Sequence, residues 1–131
     1  MEPLKFTSSI ETRSVVIEDP KDNKQTQFEI REMTAADRDK YMQTLSRRFN
    51  YDKEGKPCGL KTFTGLHAEL LTLCMYQVQP SGEFTLVKKE LLDSWPGGNV
   101  LQLYKEAQRL NHLSEREVEN KPSPVEEAKN A

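Results

Sequence analysis

Phe63-Thr64-Gly65-Leu66-His67-Ala68-Glu69-Leu70-Leu71-Thr72-Leu73-Cys74-Met75-Tyr76-Gln77-Val78 is the one stretch apolar enough to need cover on nearly all sides, so the rest of the chain must pack around it. Leu66, Leu70, Leu73 and Gln77 make one helical stripe, and Leu71, Met75 and Val78 make a second beside it. An apolar arc of that width exceeds what a surface helix needs, so the spacing predicts the central helix of a small domain. Thr62 or Thr64 is the expected cap, and Gln79-Pro80-Ser81-Gly82 supplies the breaker chemistry that ends the helix. The stretch holds neither a nucleophile paired with a base nor a set of metal ligands. It speaks of packing, not catalysis.

Upstream, Thr12 to Glu18 carries the β-branched cluster Val15-Val16-Ile17, Asp19 to Lys24 offers turn residues, and Gln25 to Met33 alternates apolar with polar. This predicts a β-hairpin. Two strands alone are marginal, so Phe28 and Ile30 are expected to lie on a helix. Thr34 then caps a helix expected from Ala35 to Phe49, with Asp37 favouring its positive end and Met42, Leu45 and Phe49 on the buried seam. Asn50 to Gly59, rich in glycine, proline and charge, is expected to be an exposed, mobile connection.

Downstream, Thr85 is expected to open a short helix with Val87, Leu91 and Trp95 on one side, stopped by Pro96-Gly97-Gly98. Asn99 is the expected cap of a last helix carrying Val100, Leu103, Tyr104, Ala107 and Leu110 at helical spacing. The fold expected is α+β but mainly α: an N-terminal β-hairpin followed by about four helices in a small single domain. Its parts are a flexible N-terminal arm at 1–11, a hairpin plus helical domain at 12–113 and a disordered acidic tail at 114–131, where apolar residues nearly vanish.

Composition sets bounds. The chain has 131 residues and 35% hydrophobic content, against roughly 45–50% apolar in ordinary domains with glycine counted, so its core is modest. A net charge of −2 gives no overall pull toward nucleic acid or anionic membrane. Basic residues gather locally between Arg38 and Lys61, and Arg47-Arg48 sit beside Phe49 and Tyr51, a pattern single-strand binders use. A solvated helix face accounts for it more simply, so a small nucleic-acid-binding or regulatory protein is the second reading. Cys58 and Cys74 suit a reducing compartment, with Cys74 a small core residue and Cys58 an exposed thiol. In the order Cys58, His67, Cys74, His112 the close ligand pairs of a zinc site are lacking, so neither metal nor cofactor is expected. His67 and Glu69 point to different faces of a helix, His112 suits a helix C-terminus, and Gly97-Gly98 lacks the context of a phosphate loop. No convergent acid, base or nucleophile emerges, so no enzyme is expected. With neither a signal-like N-terminus nor an apolar run near 18 residues, a cytoplasmic protein is expected.

A hairpin leading into Ile30-Arg31-Glu32-Met33-Thr34-Ala35-Ala36-Asp37-Arg38-Asp39, then Phe63 to Leu71, then Leu91-Leu92-Asp93-Ser94-Trp95-Pro96 and Leu103 to Asn111 follow in that order. Together they resemble the tail assembly chaperones of long-tailed phages and prophages, over roughly residues 12 to 113. The resemblance implies a non-enzymatic protein that binds and shields the tape measure protein and brings tail tube subunits to it. It also implies a longer product made by frameshifting, residence in the host cytoplasm and absence from the mature virion; self-association is a further expectation, since a small protein must cover a long client. Tyr51, the hairpin tip, Trp95 and Tyr104 are the expected partner-binding positions, with core packing the stronger expectation for Trp95 and Tyr104.

Overall fold

The structure is a computed structural model and describes residues 2–113. The expected acidic tail at 114–131 lies outside the described residues. Residues 2–11 carry no helix or strand and are exposed.

The hairpin forms as expected. Strand β1 (Thr12–Asp19) pairs antiparallel with β2 (Lys24–Arg31), in register from Thr12 opposite Arg31 to Asp19 opposite Lys24. The turn is built by its acids: Asp19 Oδ1 accepts from the Lys21 amide and Asp22 Oδ1 from the Lys24 amide, each at 2.9 Å. Asn23 takes the left-handed conformation such a turn needs, φ 55°. Phe28 and Ile30, on the inner face of β2, are buried against helices.

Helix α1 (Ala35–Ser46) starts where Thr34 predicts, its hydroxyl accepting from the Asp37 amide at 3.3 Å. It stops sooner than expected. Phe49 belongs instead to β3 (Phe49–Tyr51), which pairs with β4 (Pro57–Leu60), so the expected loop at 50–59 is a small two-stranded sheet. Asp52 Oδ1 holds its turn by accepting from the amides of Glu54 and Lys56.

The larger correction falls on the central stretch. Helix α2 covers only Leu66–Cys74, and the chain passes directly into strand β5 (Met75–Val78). Met75, Tyr76, Gln77 and Val78 fit helical spacing, but they equally fit a two-residue alternation with Met75 and Gln77 inward. A free edge of β2 awaits them: Ile30 lies opposite Met75 and Phe28 opposite Gln77. Pairing with that edge satisfies the backbone and buries Met75 completely, and it outweighs local helical preference.

Gly82 at φ 90° then turns the chain into β6 (Phe84–Leu86), which pairs with β5, so Thr85 sits in a strand and not at a helix start. Val87 ends the strand, buried, its amide donating to the Met75 carbonyl at 2.9 Å. Only Lys89–Asp93 form α3. Helix α4 (Gly97–Leu110) has Pro96 at its cap, which places Asn99 inside the first turn. Pro96 has the fixed φ, here −56°, that suits a helix entrance. The N-cap of α2 is Gly65 at φ 75°, not either threonine.

The result is a four-stranded antiparallel sheet, ordered β1-β2-β5-β6, with helices on its inner face and a separate β3–β4 pair. Helices hold 36% and strands 27% of the described residues, so the domain is α+β but not mainly α. The core lies between sheet and helices, centred on Ile30, Tyr41, Leu45, Leu70, Leu71 and Met75. Cys74 is buried there and Cys58 is exposed. Beyond α4, His112 takes φ 55° while the Leu113 amide reaches back to the Gln108 carbonyl at 2.8 Å. His112 therefore belongs to a left-handed helix stop and not to the helix itself.

Candidate binding cleft

The α3–α4 corner is made by residues that cannot continue a helix. The Ser94 hydroxyl donates to the Leu91 carbonyl at 2.6 Å, the Trp95 amide donates to the Leu92 carbonyl at 3.2 Å, and Pro96 follows. This turns Trp95 back toward the sheet, where its ring meets Phe28 edge-on, with centroids 5.3 Å apart and planes at 83°. That geometry suits the charge distribution of two aromatic rings.

Between this corner and the hairpin tip lies an open cleft of about 760 Å³. Ile17, Phe28, Leu91 and Trp95 supply its apolar surface, and Glu18, Asp19, Lys21 and Lys24 bring both signs of charge to it. A smaller cavity of about 230 Å³ lies elsewhere around Trp95, between α2 and the α3–α4 corner. Apolar walls with charged groups of both signs suit an amphipathic segment better than a small polar substrate.

Of the three expected partner-binding residues, the structure places only Trp95 in the cleft. Tyr51 stands half-exposed on β3, its hydroxyl donating to the Ser46 carbonyl. Tyr104 is buried on α4 and packs on the His67 ring at 4.4 Å between centroids. Its hydroxyl meets that of Tyr41, and burial together with this neighbour raises Tyr41 above the ordinary tyrosine range. Ile17, Leu91 and Asn99 were not anticipated here. They belong to three separate elements, and only their incomplete burial beside charged turns marks them.

Arg48 is a structural cation. It pairs with Glu69 at 2.5 Å and donates to the Thr64 carbonyl at 2.8 Å, tying the end of α1 to the start of α2. Arg38 Nη1 donates to the Asn111 carbonyl at 2.6 Å. Two cations of the basic stretch are thus engaged within the fold. Burial pushes the Cys74 thiol up to about 12, so it stays protonated and unreactive at neutral pH. Among the described residues, no group of three or more His, Cys, Asp or Glu is placed to hold a metal ion, and no helix is long and apolar enough to cross a membrane.

On the sheet's outer face, the Arg31 guanidinium lies between two rings, 4.6 Å from the centroid of Tyr76 and 4.3 Å from that of Phe84. Glu29 accepts from Arg31 Nε at 3.0 Å.

Compared with protein-family models, curated proteins and solved structures, the chain has no match.

Proposed function

We propose that this chain is a tail assembly chaperone of a long-tailed phage or prophage. It binds and shields the tape measure protein in the host cytoplasm, helps recruit tail tube subunits, and leaves before the virion is complete. The observation that carries this reading is the open cleft floored by Trp95, Phe28 and Ile17. A helical apolar segment of the client lays its side chains there, and the charged rim orients it. A single open cleft contributes a modest contact, which suits a chaperone: many copies along one client hold it together, and each releases easily. A frameshifted longer product would add a second binding element to the same domain.

The test is co-expression with a candidate tape measure protein, comparing client solubility and co-purification with the client alone. A soluble complex that weakens with Ile17→Asp supports the cleft as the client site. An insoluble client with this chain left free overturns the reading. Salt-dependent binding to DNA would instead favour the nucleic-acid-binding alternative.

A further inference from the structure

The exposed segment at 2–10 is patterned like a strand that has not found its sheet. Leu4, Phe6, Ser8 and Ile10 alternate with Lys5, Thr7 and Ser9. Leu4 is 84% and Phe6 88% exposed, a costly display for two large apolar side chains. At Glu11 the chain still runs along β2, its carbonyl accepting from the Glu32 amide at 2.8 Å and its amide donating to the Glu32 carboxylate at 3.3 Å. Pairing with its own β1 would need a reversal that this geometry does not make.

The complement of such a segment is present in the same molecule. Among the described residues, β1 is an edge strand eight residues long, with no strand on its far side. Its Val15-Val16-Ile17 centre carries neither proline nor charge, and Arg13 is the inward-facing charge nearer the start of the strand. Beneath that edge runs a groove of about 450 Å³, walled by Val15 and Ile17 from the sheet and by Gln102 and Leu103 from α4. Helix α4 thus flanks the space that an added strand would occupy. Such a strand finds backbone partners along β1, and its alternate side chains find the groove.

We infer that the Leu4–Ile10 segment of one copy adds as a strand to the free β1 edge of a second copy, with Leu4, Phe6 and Ile10 turned into the groove above α4. Lys5, Thr7 and Ser9 then share the outer face with Val16. If the exchange is reciprocal it closes a dimer; if it runs head to tail it builds an open array. The inference does not depend on the client, because the pure protein tests it.

Sedimentation of the full chain should show concentration-dependent association that Phe6→Asp and Val16→Lys each weaken by about tenfold or more. Both positions are exposed, so the variants should keep the parent's circular dichroism and melting midpoint. The decisive arm mixes the two variants, each too weak to associate alone. One retains an intact edge and the other an intact segment, so the mixture regains mixed dimers. As a second readout, Thr7→Cys in one copy and Val16→Cys in another, both with Cys58→Ser, should join as a mixed disulfide under diamide. A chain that stays monomeric to about 1 mM overturns the inference. So does association untouched by Phe6→Asp, which would indicate direct pairing of two β1 edges, or a mixture that fails to restore dimers.

Discussion

The side-chain carbonyl of Asn111 accepts a hydrogen bond from the backbone N–H of Met33 at 2.6 Å, joining the end of α4 to the junction between β2 and α1. The same residue donates from Nδ2 to the Ala107 carbonyl at 2.9 Å, and its own carbonyl receives Arg38. A buried asparagine thus ties the end of α4 to the β2–α1 junction through its side chain and to α1 through its backbone carbonyl. Removing it leaves the Met33 amide buried without its acceptor, so Asn111→Ala should cost about 2 kcal/mol in urea unfolding.

Arg48 and Glu69 are each largely covered by the fold. Truncating one partner strands the other, so Arg48→Ala should destabilise by about 3 kcal/mol, while Arg48→Met with Glu69→Leu should recover most of that. With the single variants Arg48→Met and Glu69→Leu, the double variant completes a double-mutant cycle that separates the cost of an orphaned charge from the worth of the pair.

High pH should erode the protein's stability through two overlapping titrations. Burial raises the Cys74 thiol from 9.0 to about 12, so the unfolded chain loses this proton first. Stability from Cys74 is whole below about pH 9 and is lost as pH climbs toward the folded value. Tyr41, raised by burial and the Tyr104 hydroxyl, adds its own loss above its ordinary value of 10.0. In Cys74→Ala the decline should therefore begin about one pH unit later, as read from melting midpoints across the alkaline range.

Trp95 is the chain's one tryptophan and lies in the cleft, so its fluorescence reports occupancy directly. Adding a client segment should shift its emission to shorter wavelength, and Ile17→Asp should weaken the titration by about tenfold or more, in line with a lost apolar contact and a charge placed on its face. A saturating client that leaves the emission unmoved would place binding elsewhere.

Arg31, held between Tyr76 and Phe84, should contribute about 1 kcal/mol to the outer face of the sheet. Arg31→Gln measures it in denaturant unfolding.

The hairpin, the Thr34 cap and the buried side of α4 were legible because each rests on neighbours in the chain. What escaped was decided by distant partners. Met75 to Val78 fit a helix as well as a strand, and only the waiting edge of β2 decides between them. Phe49 and Leu60 become strand residues because each finds the other. Trp95 and the hairpin tip were each legible as binding candidates, but their sharing one cleft was not, because the hairpin tip and the α3–α4 corner meet only in the finished fold. Tyr104 was legible as a core aromatic from its helical spacing, and the structure buries it.

The seam between β2 and β5 also carries a consequence in time. The β1–β2 and β5–β6 hairpins each join neighbouring segments and can close quickly. Ile30 and Met75 are separated by α1, the β3–β4 pair and α2, so their meeting is the slow event. On the ribosome, the first hairpin emerges with Phe28 and Ile30 uncovered and waits in that state until β5 and the helices after it have left the exit tunnel. A protein proposed to guard the sticky surface of another thus spends its own synthesis with the centre of its sheet unguarded.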